Sequence, residues 1–370
     1  MKDINMKLLL LSDPNSVHTI KWAKSLALHN IDIIIFGLGR FTVDDYRNIK
    51  NIKVVVLNAR ITNHEGALSK LNYLKALPKI KNIIFNFQPD IVHSHYASSY
   101  GVLGALSGFH PYILSVWGGD VFTFPRKSFL HKGMLKYNLT KADKILSTSH
   151  IMAKETELYT NKSIEVTPFG IDIKKFRPMD VDSLFNPNDM VIGTIKALEK
   201  IYGIEYLIRS FKIVNDKYKE LPLKLLIVGG GSLEKELRKL TEDLNIADKT
   251  IFTGKVPFVD VPKYHNMLSV SVSVSNSESF GVAIIEASAC AKPVIVSNVG
   301  GLPEIVEDGT SGLIVPPRNP QKTADAIEKL LLDAPLRVKM GENGRDRVKK
   351  LYNWNDNVKQ MLTIYKDTLK

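Results

Sequence analysis

The chain has 370 residues, of which 44% are hydrophobic and 24% charged, a balance typical of folded globular proteins and not of disordered ones. A single cysteine, Cys290, excludes an intramolecular disulfide and fits a reducing compartment. The net charge is +12, and residues 1–170 carry 21 Lys and Arg against 12 Asp and Glu, so most of the excess lies in this half.

No stretch of the sequence predicts export or membrane insertion. The N-terminal residues MKDINMKLLLLS contain a run of four leucines, which is shorter than the apolar region of a secretory signal. No later run approaches the ~20 apolar residues that span a bilayer. We therefore expect a cytoplasmic protein. We expect no nucleic-acid partner, because no recognised binding motif accompanies the positive charge.

Two basic segments of the first half alternate Lys with apolar residues at roughly helical spacing. They are SKLNYLKALPKIKN (69–82) and PRKSFLHKGMLKYNLTKADK (125–144). A helix of this composition can rest on an anionic membrane surface. A solvated helix with a buried apolar stripe has the same pattern, so the sequence leaves both interpretations open.

Short apolar runs alternate with stretches of helical length, which predicts an α/β fold with parallel sheets. A first set of predicted strands comprises KLLLLS (7–12), DIIIFG (32–37), KVVVLN (53–58), DIVHSH (90–95) and YILSVW (112–117). A second set comprises MVIGTI (190–195), LKLLIVGG (223–230), TIFTG (250–254), SVSVSVS (269–275) and KPVIVS (292–297). The residues between the sets are rich in Pro, Asp and Asn. We therefore predict domains at 1–170 and 190–352, joined by a linker at 171–189.

The loops after the strands are the place to seek a site, because ligands of open parallel sheets bind beyond the carboxyl ends of the strands. LLIVGGGSLEKELRKL (225–240) places three glycines between a strand and a helix, where backbone amides around Gly230 can approach a phosphate. A tight turn between strand and helix explains the glycines equally well. The dinucleotide motif GxGxxG is not met, since residues 229–234 read GGGSLE.

The stretch SESFGVAIIEASAC (277–290) places two carboxylates, Glu278 and Glu286, around an apolar run. We expect Ser277 or Glu278 to cap a helix that begins near Phe280 and ends at about Cys290. Eight residues separate the two glutamates, which is about 12 Å along a helix axis. The carboxylate pairs of glycosidases lie about 5 to 9.5 Å apart, so we expect these two to hold different parts of one long ligand.

Glu286 lies in a predicted helix that is apolar on almost every face. Its carboxylate is therefore expected to be buried and to need hydrogen-bonding partners. A structural ion pair or a neighbouring backbone amide would satisfy it. The hydroxyl groups of a ligand, such as a ribose diol, would satisfy it equally, and the residues alone leave both interpretations open.

Glu278-Ser279-Phe280-Gly281 followed by Glu286, with the spacing E-x7-E, resembles the donor-site signature of retaining glycosyltransferase family 4. The resemblance extends over the chain in the family's order, through TPFGIDIKKFRP (167–178), GTIKALEKIYGIEYLI (193–208), LLIVGGGSLEKEL (225–237), FTGKVP (252–257) and AKPVIVSNVGGLPEIVEDGTSGLIVPP (291–317). It implies the GT-B fold, in which two Rossmann-like β/α/β domains face each other across a cleft. It also implies that the final segment, 353–370, returns to the N-terminal domain as a helix.

The resemblance implies a role for each end of the signature. Glu278 would contact hydroxyl groups of the donor sugar, with help from the amides of Ser279, Phe280 and Gly281. Glu286 would bind the ribose hydroxyls. The N-terminus of the intervening helix would direct partial positive charge at the sugar diphosphate.

The remaining donor contacts are implied for three further residues. Lys196 and Lys200 would neutralise the diphosphate as it leaves, a role that can replace a metal ion. Val256 would seat the nucleotide base. The nucleotide-sugar is then a co-substrate, and neither a metal nor a cofactor is expected.

The sequence departs from the family pattern at two places. The family loop commonly begins Gly-Arg-Leu, whereas residues 193–195 read Gly-Thr-Ile, so Lys196 would supply a point charge in place of a bidentate arginine. After the fifth strand many relatives have His-Gly-x-Asp, whereas this chain has Trp117 and two glycines before Asp120. Asp120 stays a candidate for orienting or for polar contact.

Trp117 cannot transfer a proton, so two histidines are candidates for that role. His18 follows the first strand, and His95 ends the strand DIVHSH. Because a histidine at a strand end is commonly a packing residue, both interpretations stay open. His93 and His95 share a strand face but are too few for zinc, and the DVD stretch at 180–182 lies in the linker, so we predict no metal site.

The sequence therefore predicts a retaining glycosyltransferase that uses a nucleotide diphosphate donor, expected to be a UDP-sugar. The expected acceptor is a saccharide or lipid-linked molecule of cell-surface polysaccharide synthesis, and a peripheral location on the inner face of the membrane is a further hypothesis. Two alternatives stay open. One is a non-catalytic saccharide- or membrane-binding module, favoured by Trp117 and the missing arginine, and the other is a nucleotide-sugar epimerase.

Overall fold

The computed structural model describes residues 6–42, 45–57 and 72–370. The chain forms two compact units, Met1–Pro168 together with Asn357–Lys370, and Phe169–Asp356. Residues 171–189, for which we expected a linker, fall within the second unit. The first three residues of the basic segment 69–82 lie outside the described residues, so that segment is described from Asn72 onward.

The first unit is built on a parallel sheet of seven strands in the order β3-β2-β1-β4-β5-β6-β7. The strands are β1 Met6–Leu11, β2 Ile31–Leu38, β3 Ile52–Leu57, β4 Ile91–His95, β5 Tyr112–Val116, β6 Lys144–Ser147 and β7 Ile164–Val166. Continuous apolar runs form them because helices cover both faces of the sheet, and residues 8–11 of β1 are each 0% exposed. The five predicted strands are confirmed. β6 and β7 were not predicted, because runs of four and three residues carry too little pattern.

The helices of the first unit occupy both faces of its sheet. They are α1 Val17–Ala27, α2 Leu77–Phe87, α3 Ser99–Ser107, α4 Gly119–Phe122, α5 Phe129–Lys141 and α6 His150–Glu157. Ser128 caps α5 by accepting a hydrogen bond from the backbone N–H of His131. The right-handed crossover rule places α2, α3 and α5 on the sheet face opposite to α1, and both α2 and α5 pack against α3.

The second unit is built on a parallel sheet of six strands in the order β10-β9-β8-β11-β12-β13. The strands are β8 Met190–Ile195, β9 Leu223–Val228, β10 Thr250–Gly254, β11 Val270–Ser273, β12 Val294–Ser297 and β13 Gly312–Val315. All five strands predicted for this half are confirmed. β13, at the edge of the sheet, was not predicted.

The helices of the second unit are α7 Ile204–Lys217, α8 Glu234–Asp243, α9 Val261–Met267, α10 Val282–Ala289, α11 Leu302–Ile305, α12 Pro320–Leu332 and α13 Ala334–Leu351. These helices pack on the sheet through one apolar face. In α7 that face consists of Ile204, Leu207, Ile208 and Phe211, which recur at helical spacing and lie in the core. A last helix, α14 Trp354–Thr368, begins in the second unit and belongs to the first from Asn357 onward. No helix within the described residues is both long enough and apolar enough to cross a membrane.

Each sheet contains one point at which the strand order reverses, between β1 and β4 in the first and between β8 and β11 in the second. The loops after the two strands at such a point diverge, and the crevice between them is the usual ligand position. In the second unit these loops carry Lys196 and Glu278, and in the first unit His95 ends one of the two strands. Candidate residues from distant parts of the sequence therefore lie at the switch points.

Candidate active site

Lys196 and Glu278 form an ion pair at the switch point of the second sheet. Lys196 is the first residue after β8, and its Nζ lies 2.5 Å from Oε2 of Glu278. The two side chains are 12% and 11% exposed. The ammonium also stands 4.5 Å from the centre of the Tyr202 ring. Both charges are largely desolvated. The ammonium can leave the carboxylate to bind an anion, and the carboxylate can then accept hydrogen bonds from hydroxyl groups.

The turn that follows Lys196 is fastened to the Glu278 loop through Asn276. The Asn276 side chain donates to the carbonyl of Lys200 at 2.7 Å, and its backbone N–H donates to the carbonyl of Ile201 at 2.8 Å. The Lys200 side chain is exposed, and its ammonium makes no hydrogen bond or ion pair with the residues described. Of the two lysines predicted for a diphosphate, one is therefore paired with Glu278 and the other is available to a ligand.

Two glycines let the loop after β9 approach the Lys196 loop. Gly229 has φ +136°, and a Cβ there would lie 2.0 Å from the carbonyl oxygen of Lys196. A Cβ on Gly231 would lie 2.5 Å from the carbonyl oxygen of Leu198. The N–H of Leu198 donates to the carbonyl of Gly230 at 3.2 Å. The glycines thus permit close packing of two backbones, a role that the sequence did not indicate.

The carboxylate of Glu199 binds the turn just before the N-terminus of α8. Glu199 accepts hydrogen bonds from the backbone N–H of Ser232 at 2.9 Å and from its hydroxyl at 2.5 Å. These bonds lower the pKa of Glu199. Gly230, the predicted phosphate contact, lies beside the side chains of Lys255 and Glu234. A phosphate at this helix would have to compete with Glu199 for the amide.

α10 begins at Val282, and its N-cap residue is Gly281 with φ +112° and no side-chain cap. The prediction that Ser277 or Glu278 caps this helix is therefore wrong. Glu278 lies three residues before the N-cap and its carboxylate is taken by Lys196, which satisfies the charge better than a neutral amide would.

Phe280 anchors the loop that carries the signature. Its side chain is 3% exposed, and its ring lies edge-on to the rings of Phe169 and Tyr352, each 5.7 Å away between centroids. On the other side, Gly301 approaches so closely that a Cβ there would lie 2.7 Å from the carbonyl oxygen of Ser279. The loop from Ser279 to the start of α10 is held by packing beneath it, as a preorganised ligand loop requires.

Glu286 is 6% exposed in the middle of α10, which confirms the predicted burial. Its Oε2 lies 3.4 Å from Nε2 of His265, a residue of α9 that is 0% exposed. The charge of Glu286 also acts on Lys175, whose pKa is lowered by burial and raised to a lesser extent by this carboxylate. The carboxylate thus has one buried donor and one nearby cation.

Val256 is half-buried and packs against a cluster of buried residues, which are Val191, Leu226, Val228 and Leu268. Two residues further, Phe258 is 45% exposed, and the ammonium of Lys175 stands 4.0 Å from the centre of its ring. An exposed aromatic ring is a surface on which a planar base can lie.

Asp120, in the first unit, is fully buried. Its carboxylate accepts hydrogen bonds from the backbone N–H groups of Ala97 at 2.6 Å, Gly118 at 2.7 Å and Trp117 at 3.2 Å. Burial raises the pKa of Asp120, and these amides lower it to a lesser extent. Because both carboxylate oxygens are engaged, Asp120 fastens the loop after β4 to the loop after β5.

The two candidate histidines flank Trp117. His95 is 3% exposed, its Nδ1 lies 3.1 Å from Oγ of Ser12, and its ring centre is 4.2 Å from the Trp117 ring. Burial lowers the pKa of His95 well below its usual value. His18 lies edge-on to Trp117 at 5.8 Å, and burial, assisted by Lys21, lowers its pKa to about 4. Both rings are therefore neutral at pH 7.

The sequence did not single out His265 or Tyr202, which contact the predicted glutamate and lysine. A histidine within the short helix α9 has no distinctive spacing, and only the fold brings it to Glu286, 21 residues later. Within the described ranges, no three His, Cys, Asp or Glu side chains are grouped so that they can hold a metal ion. The expectation of a metal-free site stays a prediction.

Comparison with known proteins places the chain among glycosyltransferases. The family model "Glycosyl transferases group 1" matches residues 176–347, and the model "Glycosyl transferase 4-like" matches residues 7–149. An uncharacterized glycosyltransferase of Methanocaldococcus jannaschii is 30% identical over 346 residues, which cover 92% of this chain and 91% of the relative. N-acetyl-alpha-D-glucosaminyl L-malate synthase of Bacillus anthracis is 28% identical over 293 residues, or 76% and 75% of the two chains.

Solved structures show the same architecture. HepE of Anabaena, in complex with UDP and glucose, superposes with a TM-score of 0.78 at 18% identity, covering 98% of this chain and 100% of that one. Both family models, a relative of 30% identity over nearly the full length and the shared architecture agree with the E-x7-E signature. The chain therefore belongs to glycosyltransferase family 4, has the GT-B fold and is a glycosyltransferase.

Proposed function

We propose that this glycosyltransferase moves a sugar, with retention of anomeric configuration, from a UDP-sugar to a hydroxyl group of a saccharide or lipid-linked acceptor. The ion pair of Lys196 and Glu278 supports this activity most directly, because it sets a cation and a carboxylate together at the switch point. With Glu286 buried on α10, the three charges suit three parts of a nucleotide-sugar. Glu278 would receive sugar hydroxyls, Lys196 the diphosphate and Glu286 the ribose.

Departure of the diphosphate is the step that the lysines assist. As the bond between the anomeric carbon and the β-phosphate oxygen breaks, negative charge develops on that oxygen. Lys196 and the exposed Lys200 lie on one loop and can stabilise this charge. When the donor binds, Lys196 exchanges Glu278 for the phosphate, and the released carboxylate accepts hydrogen bonds from the sugar.

The acceptor proton passes to the leaving group. In the first unit His95 is buried against Ser12, His18 is a weak base with a pKa of about 4, and both oxygens of Asp120 are bonded to amides. We therefore assign the proton to the departing phosphate oxygen. The acceptor oxygen forms its bond to the anomeric carbon on the face from which the diphosphate leaves, which retains the configuration.

A lipid-linked acceptor is supported by the exposed face of α5. Phe129 is 82% and Leu130 68% exposed, and α5 carries three lysines and no acidic residue. Exposed apolar side chains among cations fit an anionic lipid surface. We accordingly propose a peripheral place on the inner face of the membrane and a role in cell-surface polysaccharide synthesis.

A donor panel tests the activity. Incubation with UDP-, GDP- and ADP-sugars, with and without candidate acceptors, should give nucleotide release from the UDP series that increases with acceptor, and a product of the donor's anomeric configuration by NMR. Binding without release for every acceptor would favour the non-catalytic module. A changed sugar still attached to its nucleotide would favour the epimerase. Release from the GDP series alone would overturn the uridine assignment.

Liposome flotation tests the membrane surface. Vesicles with anionic lipid should recruit the protein at low salt, and replacement of Phe129 and Leu130 by Ser should weaken recruitment about tenfold or more. Leu28→Ser is the matched control, because Leu28 is 85% exposed at the end of α1, on the other sheet face. Absence of binding by the unaltered protein would remove the membrane proposal.

A further inference from the structure

His265 is a buried polar residue that the proposed reaction does not use. It is 0% exposed on α9, and the ring of Phe176 lies edge-on to it at 6.2 Å. Its Nε2 faces Oε2 of Glu286 at 3.4 Å, and its Nδ1 is buried with no hydrogen-bond partner among the described residues. A buried imidazole with one orphaned nitrogen is costly, so its retention needs a reason.

The contact determines which nitrogen carries the proton. A carboxylate only accepts hydrogen bonds, so the Nε2 atom that faces Glu286 is the donor, and in the neutral imidazole Nδ1 then keeps its lone pair. This tautomer leaves an orphaned acceptor rather than an orphaned N–H. The bond occupies Oε2 of Glu286, whereas Oε1 has no hydrogen-bond partner in the described part of the chain.

α9 is itself held in place from two sides. The side chain of Asn266, the next residue, donates to the carbonyl of Arg177 at 3.0 Å and accepts from the backbone N–H of Met179 at 3.1 Å. The ammonium of Lys292, beyond α10, donates to the carbonyl of Asn266 at 2.9 Å. The imidazole is therefore presented to Glu286 by a fixed backbone.

We propose that His265 is a positioning residue for the donor nucleotide, which deepens and rests on the proposed role of Glu286. Its Nε2–H holds one carboxylate oxygen, so that the other points at the ribose 2′- and 3′-hydroxyls without a search among rotamers. Without His265 the glutamate keeps its charge but loses its orientation. The effect should then appear only for ligands that carry the ribose hydroxyls.

Calorimetric titration with UDP and with 2′,3′-dideoxy-UDP tests the positioning role. The ratio of the two Kd values measures how much the ribose hydroxyls contribute to binding. We expect the unaltered protein to prefer UDP by about tenfold or more, the range of one or two hydrogen bonds to a charged group. Glu286→Gln and His265→Phe should both reduce that preference to within about threefold of unity. His265→Gln retains an amide donor and should keep most of the preference.

Leu330→Ala is the control for general destabilisation, because Leu330 is a fully buried core residue of α12 in the same unit. It should lower Tm and leave the ratio unchanged. A His265→Phe ratio equal to that of the unaltered protein would overturn the positioning role. If Glu286→Gln also leaves the ratio unchanged, the ribose assignment itself fails and takes this inference with it.

If the Phe variant does not fold, His265→Asn compared with His265→Gln decides the question. Asn carries the same amide one methylene shorter and should lose the preference that Gln keeps. Equal ratios for these two variants, both at the value of the unaltered protein, would again contradict the proposal.

Discussion

The ammonium of Lys196 lies 2.5 Å from the carboxylate of Glu278 across 82 residues of sequence, and both side chains are nearly buried. Each charge is the hydrogen-bonding partner of the other. The pair compensates two charges that would be costly to bury alone, and in the proposed reaction the donor separates them.

The two partners should depend on each other for stability. Lys196→Met or Glu278→Gln alone leaves a buried group without its partner and should lower the free energy of unfolding by roughly 2–4 kcal/mol. The double variant should cost less than the sum of the two by at least about 1 kcal/mol. Urea unfolding of the four proteins measures this coupling, and strictly additive losses would show that the pair contributes no net interaction.

The two glutamates of the signature should fail in different ways. Glu278→Gln should reduce kcat by about 100-fold or more without weakening UDP binding, because UDP lacks the sugar and Lys196 no longer has to leave a carboxylate for the diphosphate. Glu286→Gln should instead weaken UDP binding about tenfold. Glu220→Gln, at an exposed position just before β9, serves as the control. Indistinguishable kinetic and binding defects in the first two variants would refute the division of roles.

Gly229 should tolerate no side chain. Gly229→Ala places a Cβ 2.0 Å from the carbonyl oxygen of Lys196 at φ +136°, so one of the two backbones has to move. We expect a loss of about 3 kcal/mol or more in the free energy of unfolding, together with weaker UDP binding. Gly309 also has a positive φ, of +75°, but a Cβ there would meet nothing within 4 Å, so Gly309→Ala should cost only about 1–2 kcal/mol. Equal losses would show that the contact with Lys196 is unimportant.

His93 should make the first unit sensitive to acid. It is fully buried between Tyr365 and Ser115, with a hydrogen bond of 2.8 Å to each, and burial lowers its pKa to about 3. Below its unfolded pKa of 6.5 the unfolded chain binds a proton that the folded chain does not. The contribution of His93 to stability is therefore fully present above pH 6.5. Below that pH the free energy of unfolding falls by about 1.4 kcal/mol per pH unit as the pH drops toward 3.

Urea unfolding between pH 7 and pH 4 tests this slope. His93→Gln should reduce the dependence of the unfolding free energy on pH by about 1.4 kcal/mol per unit over the range from pH 6 to 4. Ser115→Ala loosens the same contact but keeps the titrating ring, so it should lower stability without changing the slope. A His93→Gln slope equal to that of the unaltered protein would contradict the assignment.

Cys290 should report on the opening of α10. Its thiol is 1% exposed at the C-cap of this helix, and burial raises its pKa to about 12. Reaction with a disulfide reagent at pH 8 should be slow in native buffer and fast in urea. Saturating UDP should slow the reaction in native buffer further, because we propose that UDP binds through Glu286 on the same helix. Rapid stoichiometric labelling of the native protein would show that the helix is not protected.

Several features of the site could be predicted from the sequence because they are local. The E-x7-E motif can be recognised from the sequence because it depends only on spacing along the chain. The burial of Glu286 could be predicted because apolar residues surround it on almost every face of its helix. Ten strands were predicted because helices on both faces of a parallel sheet demand continuous apolar runs. The cap of α10 was predicted wrongly, because N-cap propensity favours Ser277. In the structure Glu278 pairs with Lys196, and Gly281 is the N-cap residue.

The sequence by itself determined the fold class, because the fold class depends on apolar periodicity along the chain. It indicated the family through the resemblance carried by the E-x7-E signature and the motifs around it, and it placed Lys196, Lys200 and Glu278 in loops after strands. Only the tertiary structure decided which of these residues meet. It joined Lys196 to Glu278, enclosed Asp120 in backbone amides, turned two candidate histidines into neighbours of Trp117 and brought His265 to Glu286. These contacts arise from the crossing of distant loops at a sheet switch point and from desolvation, and neither is encoded in local pattern.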